Sequence, residues 1–245
     1  MANRSRLRPG ARSRSGSASR SPDTGASESA SASGSAANDG QSNPIFELLA
    51  IFGLVFLIQA ITDLVGLMTG LFVLTLPLVE NPWTIVTSVY AHGGLWHLLS
   101  NSLALVVFGW PVARATSRAR FHTFVLVTGS IAGISQVLLS DFAAAAPIVS
   151  GDPVGVLGAS GAIFALLGYL ITGNRLSAGF ASIIDVPQWL TLIVFVGLAI
   201  VVTLTTAAPG VALIAHFTGF LLGLLAGRTR LLQVQRDSSR RRSVG

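Results

Sequence analysis

The sequence predicts an all-α, polytopic membrane protein of six transmembrane helices preceded by a disordered N-terminal arm. Three observations carry that prediction. Of 245 residues, 51% are hydrophobic and only 11% charged, with a mean hydropathy of +0.68; a soluble chain carries roughly 25% charged residues. Six apolar runs approach the ~20 residues that cross a bilayer as helix. The arginines, finally, are placed as orientation signals: six lie in the first 20 residues and six in the last 18, with no lysine anywhere. That distribution suits a membrane protein better than a folded basic face for nucleic acid, so a net charge of +6 does not argue for a nucleic-acid partner.

The elements follow in order. Residues 1–43 are rich in Ser, Ala, Gly and Arg with few large apolar side chains, a composition that cannot offset its own ordering entropy, so a disordered cytoplasmic arm is expected. The first span covers about 44–67. The connection at 68–95 is apolar but broken by Pro77 and Pro82, which suits a loop lying in the interface. The second span covers about 96–112 and the third 121–139, separated by Arg114, Arg118 and Arg120. A loop at 140–156 with two prolines precedes a short fourth span at 157–173. The fifth covers 189–206 and the sixth 211–227, before a basic tail at 229–245. A helical membrane domain is thus expected over 44–228.

Orientation follows from the arginines. The arm, the 113–120 and 174–186 loops and the tail contain Arg, whereas the 68–95, 140–156 and 207–210 loops contain none. Positive charge alternates in register with six spans and both termini cytoplasmic. A multi-pass protein of the cell membrane of a prokaryote is the expected setting, with the lipid bilayer as its surroundings. Cysteine is absent, which excludes disulfides, thiolate nucleophiles and cysteine-based metal sites.

Polar residues inside these spans mark the candidate site. At ~1.5 Å per residue, Ser160 stands roughly 20 Å above the cytoplasmic end of its span, His216 about 18 Å and His97 about 25 Å. All three therefore fall in the outer half of the membrane. A lone intramembrane serine usually packs or bonds back to its own helix, and a lone asparagine can join two helices. The conjunction weakens those readings. His97 and Asn101 are four apart and share a helical face. His216, Gly219, Gly223 and Gly227 share another, as do Ser160, Gly161, Ala165 and Gly168. Small residues let helices approach closely, so packing the fourth span on the sixth sets Ser160 beside His216.

That pair holds the minimum parts of nucleophilic catalysis. A serine hydroxyl is a weak nucleophile until a base accepts its proton, and His216 is the candidate base. Negative charge developing on an attacked carbonyl needs preorganised donors, which His97, Asn101 and the Ser160 amide can supply. No carboxylate occupies a third position, so a Ser–His dyad is expected. Gly-Ala-Ser-Gly-Ala is not the Gly-x-Ser-x-Gly elbow of strand-based hydrolases. His92, His97 and His216 have no acidic companion at similar depth, so no metal is expected.

With these residues in place, the chain resembles the rhomboid intramembrane serine proteases over about residues 44–228. The resemblance rests on His92-x4-His97-x3-Asn101 entering the second span, Gly158-Ala159-Ser160-Gly161 opening the fourth, and His216-x2-Gly219-x3-Gly223 in the sixth, with Thr87 to His92 as a further likeness. It implies a six-helix bundle with Ser160 as nucleophile and His216 as general base. The oxyanion hole would come from His97, Asn101 and the Ser160 amide, with Gly158 where the backbone approaches the scissile peptide. His92, Gly161, Phe164, Gly219 and Gly223 would support them. The 68–95 connection would be the membrane-embedded first loop, and span five with the loop before span six would gate substrate entry. Substrates would be single-span membrane proteins, cut near the outer leaflet, with no cofactor. One position departs from the pattern: many bacterial members carry a tyrosine four residues after the serine, and this chain has Phe164. Two other functions fit the composition, an inactive relative that binds or escorts membrane proteins, and a small transporter; the second lacks inverted repeats.

Overall fold

The computed structural model describes residues 43–145, 155–173, 187–205 and 211–233. The 1–42 arm, the tail beyond 233, and the 146–154, 174–186 and 206–210 segments lie outside the described residues, and so do the expectations that fall on them. Among the described residues the chain is helical without a strand: α1 (Pro44–Asp63), α2 (Met68–Phe72), α3 (Thr84–Tyr90), α4 (Leu95–Ala113), α5 (Arg118–Ala144), α6 (Ser160–Gly173), α7 (Gln188–Thr205) and α8 (Leu213–Arg228). Helices α1, α4 and α5 are long and apolar enough to span a bilayer, while α6, α7 and α8 are shorter apolar helices.

Local chemistry sets the starts. Asn43 Oδ1 accepts from the Ile45 N–H at 3.0 Å and Pro44 takes the first helical position, where its missing N–H is no loss. Ser117 Oγ accepts from the Arg120 N–H at 3.4 Å to open α5. At the same end of the bundle, Glu47 Oε2 lies 2.8 Å from both Arg118 Nε and His122 Nε2, joining α1 to α5. The 68–95 connection is better ordered than a loop: it holds α2 and α3, with Trp83 Nε1 donating to the Gly70 carbonyl at 2.9 Å. Within α4, residues Leu105–Gly109 form a π turn just before Pro111. Proline has no N–H for the carbonyl four residues back and its ring crowds that carbonyl, so the helix widens there.

Packing centres on α8, which meets α5, α6 and α7. The α6–α8 seam is glycine-tight. A Cβ on Gly219 would run into the Gly161 carbonyl oxygen, one on Gly223 into that of Ala165, and one on Gly168 into that of Phe220. Small residues here let two backbones touch, as their shared faces predict. Helix α7 packs chiefly on α8, through Ala199 against Phe220 and Leu224. The larger core gathers Ile45, Leu48, Phe52, Phe121, Leu166 and their neighbours between α1, α4, α5 and α6. Before α6, Leu74 and Val156 exchange backbone hydrogen bonds at 2.9 Å each way, tying the segment that leads to Ser160 to the strand-like stretch after α2.

Candidate active site

Ser160 is the first residue of α6, three residues later than the hydropathy of the run suggests. The reason is Gly158, whose φ of +127° is closed to side chains and whose N–H donates to the Ser88 carbonyl at 2.8 Å. A Cβ on Gly158 would lie 2.7 Å from His97 Cε1 and 2.8 Å from Nε2, so space as well as conformation demands glycine. Starting a helix at Ser160 leaves its amide among the four that lack an intrahelical acceptor, at the positive end of the helix dipole.

One cavity of about 800 Å³ is lined by Ser160, His216, His97, Asn101, Phe164 and Gln136, among others. The candidate serine and histidine border the tight seam: Gly161, next to Ser160, presents the carbonyl oxygen that a Cβ on Gly219, three residues after His216, would run into. Phe164 stacks on His216, with ring centroids 4.1 Å apart and planes 19° from parallel. The phenyl ring therefore fills the stacking place despite lacking a hydroxyl. His216 is 8% exposed.

On the α4 side, His97 Nδ1 accepts from the Gly93 N–H at 3.3 Å. A neutral imidazole that accepts at Nδ1 carries its proton on Nε2, and Nε2 is the nitrogen that faces Gly158. Asn101 Nδ2 donates to the His97 carbonyl at 2.8 Å, which leaves its second amide hydrogen and its oxygen for whatever enters the cavity.

His92 does not line this cavity. It stands behind it, 2% exposed, with its ring 4.9 Å from Phe52 and 5.2 Å from His97. Neither ring nitrogen makes a hydrogen bond. Burial first, and then His97 beside it, hold this imidazole down at about 4.

Two site-bordering residues escaped the sequence reading. Gln59 on α1 pairs with the His92 backbone, donating to its carbonyl at 3.3 Å and accepting from its N–H at 2.9 Å. Gln136 on α5 accepts from the Ala215 N–H at 3.1 Å and donates to Ser140 Oγ at 2.7 Å. Both are polar side chains in apolar helices, the signal that would have found them. Among the described residues no three His, Asp or Glu side chains gather to hold a metal.

Helices long and apolar enough to cross a bilayer, around a cavity that holds a few polar side chains, mark a helical integral membrane protein. Its family is shown by comparison: a family profile described as Rhomboid domain matches residues 79–233, well over half the chain, and the chain belongs to the rhomboid family. It is similar to RHOMBOID-like protein 5 of Arabidopsis thaliana, 30% identical over 154 residues that make up 62% of this chain and 45% of the relative. It is also similar to RHOMBOID-like protein 4 of the same plant, 30% identical over 155 residues, 63% of this chain and 35% of that one. Rhomboid protease GluP of Bacillus subtilis (strain 168) is 34% identical over 96 residues, 38% of this chain and 17% of GluP. The chain spans less than half the length of each of these relatives.

Proposed function

We propose that this chain is an intramembrane serine endopeptidase that cuts transmembrane segments of single-span membrane proteins near the outer leaflet. The observation that carries the reading is a single cavity lined by Ser160, His216, His97 and Asn101, with the first two flanking a seam too tight to slide. Ser160 Oγ attacks the peptide carbonyl carbon while a ring nitrogen of His216 takes the hydroxyl proton. The oxyanion is met by His97 Nε2–H, an Asn101 amide hydrogen and the Ser160 N–H. The imidazolium then protonates the departing amine, leaving an ester on Ser160. Water, deprotonated by His216, hydrolyses that ester and restores the serine. Six spans with both termini cytoplasmic, in a prokaryotic cell membrane, complete the proposal, with residues 44–228 as the protease domain between a cytoplasmic arm and tail.

The test needs no natural substrate. Detergent-purified protein should react with a fluorophosphonate probe at Ser160 and cleave a transmembrane test peptide. Ser160→Ala and His216→Ala should abolish both, and Asn101→Ala should lower kcat by about 10²–10³-fold, as loss of one oxyanion donor does. An unlabelled wild-type protein would favour instead an inactive relative that binds or escorts membrane proteins. Cleavage surviving in both dyad variants would sink the dyad.

A further inference from the structure

Helix α8 carries the proposed base in its first turn, yet it starts without a cap of its own. The residue before it is Ala212, which has no side chain to accept a backbone N–H. The opening amides of a helix lack intrahelical partners, and in an apolar setting an unpaired N–H is costly. Here the His216 N–H donates to the Ala212 carbonyl at 3.1 Å, the first intrahelical bond, while the Ala215 N–H reaches Gln136 Oε1 on α5. A capping side chain ordinarily accepts from this third amide of the helix. Gln136 does the same from a different helix.

The amide of Gln136 is held at both ends. Its oxygen takes the Ala215 N–H, its nitrogen donates to Ser140 Oγ one turn along α5, and the side chain is 8% exposed. Ala132, one turn back on the same helix, closes against Gly161, where a Cβ would stand 2.6 Å from the Ala132 Cβ. Helix α5 therefore touches the residue after Ser160 and the residue before His216 at once.

We propose that Gln136 is a positioning residue, a cap supplied across helices that sets the depth and turn at which His216 faces Ser160. This rests on the dyad reading. A misplacement of about 1 Å in a reacting pair can lower a rate ~10²-fold, so the bond acts on the chemical step and not on substrate affinity.

The experiment uses the full chain in detergent and compares wild type with Gln136→Met, Gln136→Glu and Ser140→Ala. Fluorophosphonate labelling of Ser160 is followed as both a rate constant and a final amplitude, with kcat and KM on a transmembrane test peptide. A purely structural role lowers the amplitude, because fewer molecules are folded, and leaves the rate constant of the folded fraction alone. Positioning lowers the rate constant. Gln136→Met, which keeps length but cannot accept the bond, should lower the rate constant and kcat roughly 10- to 100-fold with KM little changed. Gln136→Glu, protonated in this apolar place, still accepts from Ala215 and donates to Ser140 and should recover most of the rate. If Gln136→Met does not fold, Ser140→Ala, which frees one end of the amide, carries the test with a smaller loss in rate constant. Wild-type rate constants in the folded variants would overturn the inference, whereas an unlabelled wild-type protein would overturn the dyad.

Discussion

Phe164 shows how a residue can depart from a pattern and keep its place: the ring lies flat on His216 at 4.1 Å, so stacking is retained where a hydroxyl is not. His92 is a harder case, a buried histidine with no hydrogen bond to either ring nitrogen. Its imidazole is held at about 4 against an ordinary 6.5, so the folded state disfavours the protonated form. The stability contributed by neutral His92 is therefore complete above about pH 6.5 and is lost as pH falls from there towards 4. Thermal unfolding in detergent should show this acid loss, and His92→Phe, which keeps a ring against Phe52 and His97 without titrating, should reduce it. An acid profile identical to wild type would remove His92 as its cause. Ser160, His97, Asn101 and His216 were legible in the sequence because a polar side chain stands out in an apolar helix. Gln59 and Gln136 stood out equally, but their partners are backbone groups of His92 and Ala215, and a backbone amide leaves no mark on the sequence.

Among elements, the α6–α8 seam makes the sharpest prediction. Gly223→Ala drives a methyl into the Ala165 carbonyl, backbone that cannot swing aside, and should destabilise by about 1–3 kcal/mol or more. Gly53→Ala, on the open face of α1 with nothing within 4 Å, should instead be neutral or stabilising by up to about 1 kcal/mol through helix propensity. Melting temperatures of the two variants in one detergent check the opposite signs; equal shifts would mean that the seam is looser than it stands here. The pairing of these helices was readable from glycines spaced along two faces. Their ends were less so. Hydropathy starts the fourth span at 157, but Gly158 is in a conformation no helix admits, and only at Ser160 does the helix begin. Likewise apolar periodicity passes smoothly through Leu105–Gly109, where Pro111 has forced a π turn. A hydrophobic count weighs side chains and is blind to which carbonyl finds a donor.

At the scale of the whole molecule, the proposed topology predicts that the Glu47–Arg118 ion pair faces the cytoplasm and the α2–α3 region faces outward. A cysteine-free chain makes this simple to test. In intact cells an impermeant thiol reagent should label Glu80→Cys, whereas Ala115→Cys should react only after permeabilisation; the reverse pattern would invert the proposed topology. This expectation rests on sequence alone, because the alternation of charge between spans is a property of order along the chain and needs no side-chain geometry. Order along the chain also has a temporal side. The glycine-tight partner of α6 is α8, and α7 lies between them in sequence. At about 5–20 residues per second of translation, seconds separate the appearance of Ser160 from that of His216. Throughout that interval the nascent chain holds a serine without its proposed base and α6 without the surface that seats it. On the proposed chemistry, the ribosome itself sets the moment of activation: the protein cannot cut a neighbour in the insertion machinery, or its own earlier spans, until α8 has been made and has closed onto α6.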